Sequence, residues 1–196
     1  MLKFKKITGL EKRWLLNNVS IMIALVAACI LTVTVSQAAY YYSNMRSGLE
    51  SKARTTADFF GNYISQSYNE YYQSCIKFAQ TFEDKNELEL QFISTDGSIV
   101  ASSYSQWAGQ PPGTQDIADA ISTQKPGVFV GRNPSTGERI MAVSSPMIYS
   151  NGEVIGVLRY VTSLKKVDRQ ILIFSVVVAL VGAVILLIVY VSGKYY

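Results

Sequence analysis

Two stretches of this chain have no polar rhythm at all. Trp14 to Met45 contains no charged residue, and Ile171 to Val191 is uncharged and almost wholly apolar. The apolar core of the first, residues 19–39, and the whole of the second each match the ~20 residues that carry a helix across a bilayer. Trp14 stands at one end of the first stretch and Tyr40, Tyr41 and Tyr42 at the other, as amphipathic aromatics do at membrane interfaces. Between the two stretches the rhythm changes twice. From Ser43 to Phe82, the residues Ala53, Ala57, Phe60, Ile64, Tyr68, Tyr71, Cys75, Phe78 and Phe82 recur every three or four positions, which predicts one continuous amphipathic helix with an apolar stripe facing a core. Gly61 is a weak point in that helix.

After the charged run Glu83 to Glu87 the period shortens to two. Leu88–Thr95 and Ser98–Ser103 flank Asp96-Gly97, a pair that predicts a hairpin with a type I′ turn. Gly109, Pro111, Pro112 and Gly113 break the chain into a loop. Asp116 to Thr123 then reads as a short helix capped by Thr114, with Ile117, Ala118 and Ile121 inward. Val128–Arg132, Arg139–Ile148 and Val154–Thr162 are three further strands, joined by turns at 133–137 and 150–152. Pro146 suggests an edge or a bulge in the second of these. The predicted fold class is therefore α+β: a five-stranded antiparallel sheet with a long N-terminal helix on one face, and loops with a short helix on the other.

In the last strand Val154, Gly156, Leu158 and Tyr160 share one face and Ile155, Val157, Arg159 and Val161 the other. Both faces are largely apolar, as in a central strand covered on both sides. Arg159 stands out there, because a guanidinium among aliphatic neighbours needs a partner. Two readings follow: an ion pair with a domain carboxylate such as Asp119 or Glu138, or an anion-binding group in a pocket. The strand is followed within ten residues by the second apolar stretch, so any force on this hairpin is delivered there.

Charge refines this plan. The chain has 196 residues, a formal net charge of +4 and a pI near 9.0. The excess lies at the start, where Lys3, Lys5, Lys6, Lys12 and Arg13 face only Glu11; residues 37–170 carry 12 basic and 13 acidic groups. A nucleic-acid partner is excluded by that distribution, and the N-terminal cluster places the first 18 residues in the cytoplasm by the positive-inside rule. Ser36-Gln37-Ala38 resembles a signal-peptide cleavage site, but the long basic segment and full-length apolar run favour an uncleaved anchor. The expected organisation is a cytoplasmic segment 1–18, a membrane helix 19–39, an extracytoplasmic domain 40–170, a membrane helix 171–191 and a cytoplasmic stub 192–196.

The chemistry available is limited. There is no histidine, which removes the commonest metal ligand and general base. Ser144 and Ser145, or Ser102 and Ser103, are nucleophiles only with an adjacent activating base, and the sequence indicates none. The cysteines, Cys29 and Cys75, fall on opposite sides of the membrane boundary and cannot pair. No cofactor, metal or catalytic residue is expected.

Three segments carry a resemblance: QFISTDGSIVASS, PPGTQDIADAI and ERIMAVSSPMIYSNGEVIGVLRYVTSLKKVDRQI. Together with the order of elements, they resemble the extracytoplasmic sensor region of Gram-positive sensor histidine kinases of the WalK/PhoR-like kind, a single Cache (PAS-like) domain between two transmembrane helices. The resemblance implies a signal-input module working as a homodimer in the cell membrane, answering to a small molecule or an envelope protein. The same domain serves chemoreceptors and diguanylate cyclases, and a stand-alone envelope interaction protein is a further alternative. The kinase core that follows the second span in that family is absent from these residues, so the chain reads as a fragment or a truncated product. For the pocket, the expected residues are Trp107, Tyr149, Arg159 and Tyr160, since aromatic and arginine side chains anchor binding sites. Gly182, with Ala179 and Ala183, offers a surface for close contact with the span of a second copy.

Overall fold

A computed structural model describes residues 9–63, 68–104 and 109–195. Lys3, Lys5, Lys6, Ile64 and Trp107 lie outside the described residues. The chain forms two compact units, one of Met1–Tyr41 with Val167–Tyr196, the other of Tyr42–Lys166.

Nine elements are described: α1 (Gly9–Tyr63), α2 (Tyr68–Thr81), β1 (Leu88–Ile93), β2 (Ile99–Ser102), α3 (Gln115–Thr123), β3 (Gly127–Arg132), β4 (Arg139–Ile148), β5 (Val154–Ser163) and α4 (Lys165–Tyr195). In the first unit, α1 and α4 carry stretches long and apolar enough to cross a membrane. Leu25, Leu31, Val35, Leu172, Leu180 and Leu187 are all exposed there. The two helices touch where α4 has no side chain: a Cβ on Gly182 would stand 2.9 Å from both Val26 and Ile30. Gly182 is therefore covered by this chain's own α1, while Ala179 and Ala183, expected with it to meet a second copy, are exposed.

In the second unit, five strands pair antiparallel in the order β2-β1-β5-β4-β3. β5 is central, as its two apolar faces predict. One face of the sheet packs on helices. Leu90, Phe92, Met141, Val143, Leu158 and Tyr160 meet Leu49, Ala53, Ala57 and Phe60 of α1 and Cys75 and Ala79 of α2. Burial drives the Cys75 thiol up to about 12, so it stays protonated at neutral pH and behaves as a small hydrophobe. The opposite face carries α3, with Ile117 and Ala120 against Ile93, Ile99 and Val157.

One expectation fails here. The predicted single helix over 43–82 is two helices, and α2 runs back along α1. Phe60 stacks edge-on against Phe78 with ring centroids 5.2 Å apart, and Lys52 pairs with Asp84. The reason is the width of the sheet. Five strands at ~4.8 Å spacing span roughly 20 Å, whereas one helix covers only ~10 Å. The apolar stripe is core, as its spacing implies, but it is folded in two.

The turns differ in detail too. At Asp96-Gly97 the Gly97 N–H donates to Ser94 C=O at 3.0 Å, and only Gly97 has positive φ, at 89°. This is a three-residue loop closed by a left-handed glycine rather than a type I′ turn, which needs positive φ at both central residues. The β4–β5 turn repeats it, with Gly152 N–H on Tyr149 C=O at 2.8 Å and φ of 86°. In α3 Ile117 and Ala120 are buried and Ile121 partly so, as expected for the first and last, while Ala118 is exposed; the inward face also includes the polar Asp116.

Two glycines fix how closely elements approach. A Cβ on Gly61 would lie 2.6 Å from Ile148 O, so the predicted weak point is a contact between α1 and the end of β4. A Cβ on Gly127 would lie 2.0 Å from Asp116 O, which lets the start of α3 press on β3. Gly127→Ala is expected to cost at least about 1–3 kcal/mol, because only backbone movement relieves the clash. Gly48 in α1 meets nothing within 4 Å, so Gly48→Ala is expected to stabilise by about 0.5–1 kcal/mol. Urea unfolding of the full chain in detergent checks both signs.

Candidate functional site

The α3 face of the sheet bears a chain of buried polar side chains. Arg159, 2 % exposed, projects from β5 toward the N-terminal turn of α3. Its Nε donates to Asp116 Oδ2 at 2.8 Å, its Nη1 to Gln91 Oε1 at 2.9 Å and its Nη2 to Thr114 Oγ1 at 2.8 Å. Asp116 is 0 % exposed, and its Oδ2 also accepts from Ser144 Oγ at 2.7 Å. Gln91 passes the chain along β1: its Nε2 donates to Glu89 Oε1 at 2.7 Å, where Ser102 Oγ donates at 2.9 Å.

Strand register assembles this set. Gln91 stands directly opposite Arg159 in the β1–β5 pairing, and Ser144 directly opposite Arg159 in the β4–β5 pairing. Residues opposite one another share a face of the sheet, so the guanidinium sits between two polar neighbours and receives its counter-charge from α3. Thr114 occupies the predicted N-cap position but makes no capping hydrogen bond; its hydroxyl serves Arg159 instead. One atom is left over. Asp116 Oδ1 is buried and has no partner among the described residues.

A cavity of about 30 Å³ opens against this chain, bounded by Glu89, Gln91 and Arg159 below and by Pro111, Pro112 and Asn133 from two loops. That is room for about two water molecules. Beyond the 111–114 loop lies a larger open depression of about 480 Å³, between the Asp96-Gly97 turn and Ile117, Ala118 and Ile121 of α3.

Of the expected pocket residues, Tyr149, Arg159 and Tyr160 are not brought together. Arg159 lines the cavity. Tyr160 is on the other side of the sheet, 1 % exposed, with its hydroxyl 3.2 Å from Thr56 Oγ1 of α1 and its ring 5.8 Å from that of Phe82. Burial pushes its phenol pKa up. Tyr149 is half-buried at the β4–β5 turn, away from the cavity. Trp107 is outside the described residues. The carboxylate partner of Arg159 is Asp116, not Asp119 or Glu138. Asp119 is exposed on the outer face of α3, and Glu138 accepts from Ser163 Oγ at 2.5 Å.

Sequence reasoning did not select Glu89, Gln91, Asp116 or Thr114. The signal for the first two is their alternation with Leu90 and Phe92 in an otherwise apolar strand. Asp116 has no local signal. Three of the four serines considered as nucleophiles are engaged elsewhere: Ser144 donates to Asp116, Ser102 to Glu89, and Ser103 Oγ accepts from Leu90 N–H. Three Ser-x-x-Lys spacings occur, Ser74–Lys77, Ser122–Lys125 and Ser163–Lys166, but Ser74 Oγ donates to Glu70 C=O, Ser122 Oγ to Asp119 C=O and Ser163 Oγ to Glu138.

No protein-family model matches the chain, and no curated protein matches it in sequence. Solved structures do match in fold. The sensor domain of the V. cholerae histidine kinase DctB superposes with a TM-score of 0.59 at 13% identity, covering 74% of this chain and 58% of that one. The sensory domain of the Campylobacter jejuni chemoreceptor Tlp3 gives 0.54 at 16% identity, covering 81% and 66%. The Tlp3 ligand-binding domain in complex with 4-methylisoleucine gives 0.51 at 17%, covering 81% and 62%. The chain thus spans about three fifths of the length of these domains. Its fold is the α+β, Cache-like fold of sensor domains from histidine kinases and chemoreceptors.

Arg159→Met leaves Asp116 as a buried, uncompensated carboxylate. The expected cost is about 3–5 kcal/mol, partly recovered when Asp116→Asn is added. Urea unfolding followed by near-ultraviolet circular dichroism measures both; an unchanged midpoint for Arg159→Met contradicts the pairing.

Proposed function

We propose that this chain is the signal-input part of a two-pass membrane receptor. The 42–166 unit faces the outside, both termini are cytoplasmic, α1 and α4 cross the bilayer, and the receptor works as a homodimer. A sensor histidine kinase of the WalK/PhoR-like kind is the output this reading favours, and a chemoreceptor output is the alternative. The chain itself performs no catalysis in this account.

The observation that carries the proposal is the course of β5. This strand is paired on both sides, so it moves only with its neighbours. Arg159 presents it to the cavity and Tyr160, the next residue, presents it to α1 and α2. Past Ser163, only Leu164 separates it from α4. Leu164 is fully buried in the core and its N–H donates to Arg139 C=O at 2.9 Å, which ties the strand's exit to β4. Thr162 Oγ1 donates to Glu87 C=O at 3.0 Å, which ties it to the approach to β1. A ligand that favours one placement of Arg159 therefore biases β5, and with it the first residue of α4. The bias equals the ligand's difference in affinity for the two placements.

The topology is tested at the β4–β5 turn, where Asn151 is exposed. A cysteine at that position (Asn151→Cys), with Cys29 and Cys75 replaced by serine and alanine, is expected to react with a membrane-impermeant maleimide in intact cells as fully as after permeabilisation. Labelling only after lysis would place the domain in the cytosol and end the sensor reading.

A further inference from the structure

The charge of the cavity is not the one that a lone arginine suggests. Arg159 is already neutralised: Asp116 holds its Nε at 2.8 Å, in a pair with side chains 3% and 0% exposed. A second carboxylate borders the same space. Glu89 is 8% exposed, and its Oε1 accepts from Gln91 Nε2 and Ser102 Oγ, both neutral donors. No hydrogen bond reaches Glu89 Oε2 from the described residues. Arg159 connects to Glu89 only through the Gln91 amide. Two carboxylates against one guanidinium leave this buried set with a net charge of −1. The field extends outward, since Glu89 helps to raise the pKa of Tyr104, after the larger effect of burial.

A carboxylate met only by neutral donors favours a cation beside it and disfavours an anion. The remaining lining suits an ammonium head. Gln110 and Asn133 bring side-chain amides, Ser135 brings a hydroxyl, and Ile99 and Ile140 form apolar walls. At about 30 Å³ the cavity admits a head group rather than a whole ligand.

We propose that this cavity binds its ligand through a protonated amine held by Glu89, so that Glu89 is the ionic anchor and Arg159 a positioning residue. The inference rests on the ligand-sensing reading above and narrows it to amine-bearing molecules.

The probe is methylammonium chloride, titrated into the full chain in detergent, with sodium acetate and sodium chloride at matched ionic strength as controls. Thermal unfolding gives the apparent Kd. Methylammonium is expected to raise Tm saturably, and acetate is not. Glu89→Gln keeps the shape and removes the charge, and is expected to weaken methylammonium binding at least about tenfold, a loss of about 1.4 kcal/mol. Glu89→Asp keeps the charge and is expected to retain more binding than Glu89→Gln. Near-ultraviolet circular dichroism establishes that both variants fold. Equal binding by Glu89→Gln and the parent chain, equal loss in both variants, or no saturable response to methylammonium would each overturn the assignment. Stabilisation by acetate alone would also overturn it while leaving a ligand-sensing cavity of the opposite preference; the sensing reading itself is judged by the labelling of the β4–β5 turn.

Discussion

The ion pair between Arg159 and Asp116 is the constraint from which the rest of the 42–166 unit follows. Both groups are out of water, so each must be satisfied where it stands. The guanidinium accomplishes this with three partners: Asp116 at the start of α3, Gln91 on β1 and Thr114 just before α3. The carboxylate takes a second donor, Ser144, from β4. A short helix that buries only Ile117 and Ala120 against the sheet is thereby held by charge as well as by apolar contact. Gly127 is part of the same arrangement, because any side chain there would meet the Asp116 carbonyl before the pair could close. The satisfaction is incomplete, since Asp116 Oδ1 has no partner among the described residues. An unpaired buried oxygen costs on the order of 1–3 kcal/mol.

The second consequence comes from the two-residue period of a strand. Arg159 and Tyr160 are adjacent in the chain and opposite in the sheet. One belongs to a polar chain with net charge −1, the other to an apolar layer where Lys52 lies over the rings of both Phe82 and Tyr160. The sheet thus separates a face bearing buried polar side chains from a face packed on helices. β5 is the strand that carries Arg159 and Tyr160 into these two environments, and also the strand that leads into α4. Sensor domains of histidine kinases and chemoreceptors share the fold at very low sequence identity, as expected when fold depends on pattern and register rather than on particular residues.

Much of this was legible in the sequence, for reasons that can be traced. Asp-Gly and Asn-Gly pairs mark hairpins because glycine adopts positive φ at no steric cost, as Gly97 and Gly152 do. The apolar character of both faces of 154–162 places that strand at the centre, and a guanidinium inside it demands a partner. The identity of the partner was not legible. Asp116 falls at the start of a short amphipathic helix, where acidic residues normally face solvent, and only the tertiary approach allowed by Gly127 turns it inward. The division of the 43–82 helix into two follows from the width of a five-stranded sheet, which is not a local property; Gly61 was its only local mark. The choice of Tyr160 as a pocket residue conflicted with the strand alternation itself, which already set it opposite Arg159. Glu89 was passed over because its importance depends on the β1–β5 register that brings Gln91 across from Arg159.

The central claim is that the polar face of β5 and its packed face respond as one. Hydrogen exchange on the full chain in detergent, comparing the parent with Asp116→Asn, tests it directly. The account predicts faster exchange not only in α3 but along β5 as far as Leu164 and in α1 around Thr56. Faster exchange confined to α3 and the cavity loops, with β5 and α1 unchanged, would contradict it.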